Sequence, residues 1–317
     1  MWKGFLALTA LLFAANTQAE TYAPITVPMQ VQQVGEHSYY VMGAPGMATD
    51  NEGFISNAGF VVTDAGVVVF DALGSPSLAW ALRQKIREIS DQPVVKVVVS
   101  HYHADHIYGL QVFQAEGAEI IAPRGVYEYL ESEAAKSRLE ERRFSLEPWV
   151  NEQTVLTPPT RLVDSAETFE VGGIEFRLSY LGSAHSNGDM AMFVVQDAVL
   201  YSGDIIFEGR VPFVGDADTR HWLQTLEALE TGELKALVPG HGPAARDPKQ
   251  AISLTRRYLA KLREVMGAAI EDLTDFDSAY KAADWREFNK LPAYDAAHRR
   301  NAYQVYLSME AEALAEE

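Results

Sequence analysis

The chain contains no cysteine among its 317 residues. That absence excludes disulfide bridges, thiolate metal ligands and a cysteine nucleophile. Positive charge is also scarce, because 26 lysines and arginines face 44 aspartates and glutamates, for a formal net charge of -18. A surface of that charge repels polyanions, so neither nucleic acid nor an anionic membrane is an expected partner.

Long apolar runs are absent except near the N-terminus, where residues 5–15 form one. Lys3 precedes this run and small residues ending in Ala19 follow it, which is the pattern of a secretory signal peptide cleaved before Glu20. The run is short for a bilayer crossing, and the alternative is a buried core helix. We therefore expect a signal peptide over residues 1–19 and a periplasmic or secreted protein with no membrane anchor after its removal.

Apolar periodicity predicts two strand-rich halves surrounded by helices. Strands are predicted at 58–63, 66–71, 94–99 and 119–122, and again at 169–171, 174–181, 191–195, 198–202 and 236–238. Helices are predicted at 76–90, 107–115, 125–143 and 219–230, and from 248 almost to the end, with Pro292 as the main interruption. This pattern predicts an α/β protein in which two packed sheets are covered by helices on both outer faces.

The most informative segment is His-Tyr-His-Ala-Asp-His at residues 101–106, which follows a predicted buried strand. Imidazole and carboxylate are donors that suit zinc, iron or manganese. His101 and His103 are two residues apart and point the same way on an extended segment. Asp105 and His106 follow a bend and can face a second position. One loop could thus supply ligands to two metal ions; the alternative is a polar surface turn.

Three more ligand-type residues occur where predicted strands stop: His185 in a loop of small residues, Asp204 after Tyr-Ser-Gly, and His241 in a Pro-Gly-His-Gly turn. Ligand groups at the carboxyl ends of strands are typical of α/β sheets. Taken singly, a histidine after a strand is more often a hydrogen-bonded loop residue, and Asp204 could cap a helix. Their joint occurrence with residues 101–106 favours a metal site.

The order of these motifs resembles the metallo-β-lactamase superfamily, over roughly residues 50–245. The resemblance implies a four-layer αβ/βα sandwich, here a catalytic domain over residues 20–247, with residues 248–317 as a helical C-terminal segment packed on the same domain. It implies two zinc ions, although iron and manganese suit the same donors. The implied ligands are His101, His103 and His185 for the first ion, Asp105, His106 and His241 for the second, and Asp204 as a bridge.

The resemblance also implies hydrolysis by a hydroxide that bridges the two ions, because two close cations lower the pKa of a shared water. Asp105 and Asp204 would orient this nucleophile, and Asp105 is the predicted catalytic residue that carries a proton to the leaving group. The expected substrate is a small molecule, an ester, thioester, lactone or amide, with β-lactams as a side activity. Asp71, after a Val-Val-Val-Phe strand, matches the first family motif and would support the ligand loop; the alternative is a turn acid.

The chain also departs from parts of the family. One large class of zinc β-lactamases has cysteine where Asp204 stands, so this chain is not of that class. A bridging aspartate is the pattern of glyoxalase II and many other hydrolases. Segments 100–109 and 204–216 resemble exported zinc hydrolases linked to quinoprotein relay or sulfur-oxidation systems.

Two other functions stay open at this point. One is a mononuclear iron persulfide dioxygenase, which shares the His-x-His-x-Asp-His text but holds one iron. The other is a non-catalytic exported binding protein on the same fold. Arg210 is a candidate for binding a substrate anion, against the alternative of a surface ion pair.

Overall fold

The computed structural model describes residues 22–229 and 234–316. The predicted signal peptide over residues 1–19 lies outside the described residues. Within them, no helix combines the length and the apolar character that crossing a membrane requires.

The first sheet contains seven strands, hydrogen-bonded in the order in which they occur along the chain. They are β1 (Val31–Gln33), β2 (Ser38–Val41), β3 (Ala58–Thr63), β4 (Gly66–Phe70), β5 (Val94–Val98), β6 (Glu119–Pro123) and β7 (Arg161–Val163). Strands β1 to β4 pair antiparallel and strands β4 to β7 run parallel. Strands β3 and β4, predicted at 58–63 and 66–71, pair as a hairpin.

The second sheet contains five strands. They are β8 (Glu167–Val171), β9 (Ile174–Gly182), β10 (Asp189–Val194), β11 (Val199–Phe207) and β12 (Ala236–His241). Successive pairs from β8 to β11 are antiparallel, whereas β12 lies parallel to β11 at the sheet edge. A parallel pair needs a crossover, and the helix after β11 provides it.

Helices cover the outer face of each sheet. They are α1 (Pro76–Arg87), α2 (Ala104–Ile107), α3 (Leu110–Ala115), α4 (Val126–Leu130), α5 (Glu133–Ser145), α6 (Thr219–Ala228), α7 (Pro248–Glu271), α8 (Phe276–Ala282) and α9 (Tyr294–Glu316), with a short 3-10 helix at Ala48–Asp50. Strand β4 shows the layering: Val67 and Val69 pack with α1, while Val68 and Phe70 pack against the second sheet. The predicted α/β fold of two sheets flanked by helices is thus confirmed.

Several predicted boundaries were wrong. The helix predicted over 107–115 is two short helices that begin at Ala104, and they break at Gly109. A Cβ atom on Gly109 would lie 2.0 Å from the carbonyl oxygen of Ala72, so only glycine fits this close approach. The helix predicted over 125–143 is also two helices, because the Ser132 hydroxyl caps the second by accepting a hydrogen bond from Ala135 N.

The C-terminal segment and the second sheet differ from the sequence prediction in the same way. The nearly continuous helix predicted from 248 is three helices, since Asp275 caps a new helix well before Pro292. Strand β11 runs to Phe207, so Asp204 lies inside this strand and not after it. The pairing of β11 with β12 shifts register around Gly203, and this irregularity turns Asp204 toward the first sheet's loops.

Candidate metal centre

The first group of ligand-type side chains comprises His101, His103 and His185. The first two lie on the segment that continues β5, and His185 lies on the loop after β9. Nε2 of His101 is 3.0 Å from Nδ1 of His103, and Nε2 of His185 is 3.1 Å from that same atom. The three nitrogens lie within 4.8 Å of one another, so one cation could contact all of them.

The second group comprises Asp105, His106 and His241. Helix α2 begins at Ala104, so the chain bends between His103 and Asp105 as the sequence predicted. Oδ2 of Asp105 is 3.5 Å from Nε2 of His106 and 3.3 Å from Nε2 of His241, the last residue of β12. These three donor atoms also lie within 4.8 Å of one another.

Asp204 lies between the two groups. Its Oδ1 is 3.3 Å from Nε2 of His106, and its Oδ2 is 3.2 Å from Nε2 of His241 and 3.5 Å from Nε2 of His185. The approach is close enough that a Cβ atom on Gly240 would lie 1.9 Å from Oδ1 of Asp204. The glycine before His241, which the structure places in β12 and not in the predicted turn, therefore makes room for the central carboxylate.

The structure thus brings all seven predicted ligand residues into one cluster from four separate segments. His101, His106 and His185 are fully buried, and Asp204 is 4% exposed. The side chain of Asp105 is 22% exposed and that of His103 is partly exposed. The cluster therefore opens to solvent on the side of these two residues.

Asp71 supports the cluster from behind. Its Oδ1 accepts a hydrogen bond from Ser100 N at 2.7 Å, and its Oδ2 accepts one from the Ser100 hydroxyl at 2.8 Å. Oδ2 also lies 2.9 Å from Nδ1 of His106. A proton on that Nδ1 leaves Nε2 of His106 as the lone-pair donor facing the cluster. Asp71 has a left-handed backbone with φ 63°, a conformation that the surrounding hydrogen bonds hold.

Two other imidazoles are oriented by their outer nitrogens. The Ser100 hydroxyl lies 2.9 Å from Nδ1 of His101. Nδ1 of His241 donates to the carbonyl oxygen of Ile55 at 2.7 Å, so its proton lies on the outer nitrogen. In each case the fixed outer nitrogen leaves Nε2 directed into the cluster, toward His103 for His101 and toward the two carboxylates for His241.

The charge state of the first group suits a metal ligand. Burial, reinforced by neighbouring His106 and His103, lowers the pKa of His101 well below its usual value, and burial lowers the pKa of His185 to about 3. Burial also lowers the pKa of His103, against the opposing effect of Asp105 and Asp204. Neutral imidazole is the form that binds a metal ion.

The second group attracts positive charge. Burial favours the neutral forms, but the neighbouring charges outweigh it. They hold the pKa of Asp204 well below its usual value and raise the pKa of His106 and of His241. The carboxylates are therefore ionised, and without a metal ion the facing histidines hold protons in its place.

The donors fit a cation for a further reason. Nε2 of His106 and Oδ1 of Asp204 are buried and 3.3 Å apart, but they are not aligned for a hydrogen bond, and neither has another partner among the described residues. An unsatisfied nitrogen and oxygen at the centre of a protein cost free energy unless something binds them. Nitrogen and oxygen donors of this kind suit zinc.

Sequence reasoning missed several residues around the cluster. The ring of Tyr129 on α4 lies edge-on to that of His103, with the centroids 6.3 Å apart. The ring of Phe207 stacks on that of His241 at 5.4 Å and 3°. Asn57 donates from Nδ2 to the carbonyl oxygens of Pro239 and Gly242, both at 2.8 Å, and so anchors the end of β12, which carries His241. Aromatic and amide side chains in these positions carry no spacing signal.

Two helix-flanked sheets with a cluster of histidines and aspartates at one edge define a metal-dependent class of protein, and the comparisons place the chain within it. The family model of the metallo-beta-lactamase superfamily matches residues 51–241. Metallo-beta-lactamase IND-1 of Chryseobacterium indologenes is 23% identical over 210 residues, which are 65% of this chain and 77% of that protein. Metallo-beta-lactamase type 2 of Elizabethkingia meningoseptica is 24% identical over 193 residues, which are 59% of this chain and 69% of that protein.

Solved structures agree with the fold. A metallo-beta-lactamase from Pontibacter korlensis superposes with a TM-score of 0.60 at 19% identity, covering 74% of this chain and 99% of that one. The chain therefore belongs to the metallo-beta-lactamase superfamily. The predicted superfamily is confirmed, and with it a metal-dependent hydrolase of that superfamily. The narrower resemblance to quinoprotein-linked or sulfur-oxidation-linked hydrolases, the ligand roles and the domain boundaries stay predictions.

Replacing Asp71 with asparagine will weaken metal binding, although Asp71 is not one of the predicted ligand residues. An amide presents hydrogens to Nδ1 of His106 or to the Ser100 hydroxyl, so the orientation of His106 is lost. We expect metal affinity to fall by about 10- to 100-fold, as for other residues that orient metal ligands. Competition with a chromogenic zinc chelator measures it. Asp64→Asn, in the exposed turn between β3 and β4, is the control; equal affinities for the two variants would contradict the role of Asp71.

Proposed function

We propose that this chain is a binuclear zinc hydrolase that acts on a small ester, thioester, lactone or amide. The observation that carries the proposal is the cluster itself: two triads of donor atoms, each within 4.8 Å, joined by Asp204 with one oxygen near His106 and the other near His185. A group of three ligands would serve one ion. A pair of ions accounts for the second triad and for the central carboxylate of Asp204.

Two zinc ions held here would polarise a carbonyl group and supply a water ionised near neutral pH. The protein contributes orientation. Asp105 is the carboxylate of the cluster that reaches solvent, so it can accept a proton on the substrate side and return it to the departing oxygen, sulfur or nitrogen. Asp204 is buried and held by three histidines, so its role is to fix the geometry of the ligands.

Arg210 indicates which chemical group the substrate carries. Its guanidinium carbon lies 6.0 Å from the ring centroid of Phe207, and the residue is partly buried. The ring of Phe207 stacks on that of His241, so the charge of Arg210 lies close to the cluster. Among the described residues Arg210 pairs with no carboxylate at 4 Å or less, and its Nε donates to the carbonyl oxygen of Val211 at 3.5 Å, so no surface ion pair is seen. We assign it to an anionic group of the substrate, such as a carboxylate.

Arg210→Ala will therefore lower kcat/KM for a carboxylate-bearing ester by about 10- to 100-fold, the effect of losing a hydrogen bond to a charged group. The loss should appear in KM. The same ester with its carboxylate methylated is the internal control, because it offers Arg210 no charge. Arg210→Lys should recover part of the loss; an equal loss for the charged and the methylated ester would exclude anion binding.

The proposed location and partners follow from the sequence. The N-terminal pattern supports export to the periplasm or the exterior, and the net charge of -18 supports a small-molecule substrate over nucleic acid. Activity on β-lactams is proposed as a side activity.

The experiment that tests the proposal counts metal and screens substrates on one preparation. Protein purified without added metal is analysed for zinc, iron and manganese. It is then assayed on lactones, thioesters, esters, phosphoesters and β-lactams. We expect about two zinc ions per chain and hydrolysis of at least one carbonyl substrate. One iron per chain with sulfur-dependent oxygen uptake would instead identify the dioxygenase alternative.

A further inference from the structure

The helices α7, α8 and α9 lie beyond residues 51–241, where the superfamily match ends. Helix α9 and the residue Pro292 before it contact the loop that joins β11 to α6. We call residues 208–218 the Arg210 loop, because Arg210 lies near its start. The start of this loop lies against the metal centre, since Glu208 N donates to the carbonyl oxygen of His241 at 3.3 Å. The guanidinium carbon of Arg210 lies 6.0 Å from the ring of Phe207, which stacks on the ring of His241, so the loop borders the cluster beside His241.

Asn301 on α9 holds this loop from behind. Its Oδ1 accepts a hydrogen bond from Val214 N at 3.0 Å, and its Nδ2 donates to the carbonyl oxygen of Pro212 at 2.6 Å. The side chain is fully buried. A second link joins the same segments, because Val211 N donates to the carbonyl oxygen of Pro292 at 3.0 Å. Backbone groups of three loop residues, Val211, Pro212 and Val214, are thus satisfied by the C-terminal segment.

The orientation of the Asn301 amide is itself fixed. Its Nδ2 also donates to the Tyr258 hydroxyl on α7 at 2.9 Å, and that hydroxyl lies 3.0 Å from Nδ1 of His298. The ring of His298 stacks on that of Tyr294 with centroids 4.3 Å apart and meets the ring of Trp285 edge-on at 4.5 Å. With this support, the amide cannot rotate without breaking several buried hydrogen bonds.

The far half of the loop packs incompletely against α9. Val214 and Ala217 are buried in the core, but a cavity of about 220 Å³ lies between residues 214–217 and one face of α9. Its lining includes Asp216, Gln304 and Ser308. The hydrogen bonds to Asn301 therefore add to the packing that holds the loop.

We propose that Asn301 is a positioning residue for substrate binding: it holds the Arg210 loop in place, so that the C-terminal helices form the back of the substrate site. The inference rests on the proposed function in one respect, that Arg210 binds the substrate. The anchoring itself does not depend on which reaction is catalysed. Asn301 touches no ligand residue, so its loss changes substrate binding and leaves the metal centre intact.

The test compares Asn301→Ala with the wild-type protein by hydrogen exchange and by kinetics. Exchange in a peptide covering residues 208–218 should become about tenfold faster, while exchange in a peptide covering residues 97–107 and the zinc content stay unchanged. KM for the carboxylate-bearing ester should rise about tenfold with kcat changed by less than about threefold. Tyr258→Phe, which keeps the ring and removes one hydrogen-bond partner, should show a smaller change of the same kind and serves if Asn301→Ala does not fold.

A double variant decides whether Asn301 acts through Arg210. If it does, adding Asn301→Ala to Arg210→Ala should raise KM little further, because the group being positioned is already gone. Met266→Ala is the control for general destabilisation, since Met266 is buried on the same helix as Tyr258 and about two turns away. It should lower the melting temperature and leave KM unchanged.

The outcomes are distinguishable. Unchanged exchange over residues 208–218 in both Asn301→Ala and Tyr258→Phe overturns the anchoring, whatever the protein hydrolyses. Faster exchange with an unchanged KM, or fully additive effects with Arg210→Ala, overturns the role in substrate binding. A zinc-loaded wild-type protein that hydrolyses nothing in the screen overturns the proposed function, and the exchange result then decides the anchoring alone.

Discussion

Replacing His103 with alanine will abolish hydrolysis and lower the zinc content. Nδ1 of His103 lies 3.0 Å from Nε2 of His101 and 3.1 Å from Nε2 of His185, so its removal takes one donor of three from the first group. Zinc needs at least three protein ligands in catalytic sites. We expect activity to fall by at least about a thousandfold, because the remaining two donors cannot hold the ion that polarises the substrate.

Elemental analysis after dialysis and the hydrolysis assay measure the two effects. His37→Ala is the matched control, since His37 lies in the turn between β1 and β2, far along the chain from the ligand segments. That variant should keep its zinc and its activity. Full activity of His103→Ala on any substrate that the wild-type protein hydrolyses would refute the assignment of His103.

Asp204→Asn will weaken the second metal ion more than the first. Two of the three short distances from Asp204 reach His106 and His241, and only one reaches His185. The change removes a negative charge from a buried site, where charges are poorly screened. We expect zinc to bind in two separated steps, with about one ion lost at a chelator concentration that leaves the wild-type protein fully loaded.

A dialysis titration against a zinc buffer separates the two steps. Asp164→Asn is the control, because Asp164 is exposed and its carboxylate pairs with Arg124 on the surface. An unchanged stoichiometry across the whole titration would show that Asp204 does not join two ions. A protein with a single iron, in contrast, would lose all metal in one step with Asp204→Asn.

The sequence predicted the metal centre better than it predicted the elements around it. Ligand-type residues stand out because imidazole and carboxylate are costly to bury without a partner. The short pattern at residues 101–106 therefore indicates candidate ligands without information from the rest of the chain. Helix ends were less predictable. Gly109 lies between α2 and α3, where the carbonyl oxygen of Ala72 comes too close for a side chain, and Asp275 starts α8 by a single cap. These are contacts and local bonds that apolar periodicity does not report.

Of the contacts that orient the ligands, some were predictable from the sequence and others were not. The support of the ligand loop by Asp71 was predicted from its place after a buried strand, with an ordinary acidic residue in a turn as the alternative. The structure shows its carboxylate accepting from Ser100 and facing His106. The contact of Ile55 with His241 was not predictable, because it uses a backbone carbonyl oxygen, which every residue has.

Residue types and their spacing by themselves determined the superfamily, the two-sheet plan and the seven candidate ligands, since each of these leaves a pattern within a short stretch of chain. The folded chain alone decided which atoms face one another: that Asp204 lies between His106 and His185, that Arg210 lies near the Phe207 ring stacked on His241, and that Asn301 bonds to the loop bearing Arg210. Asp105 and His241 meet there although 136 positions separate them along the chain. Such contacts follow from how two sheets pack, and no local pattern encodes that geometry.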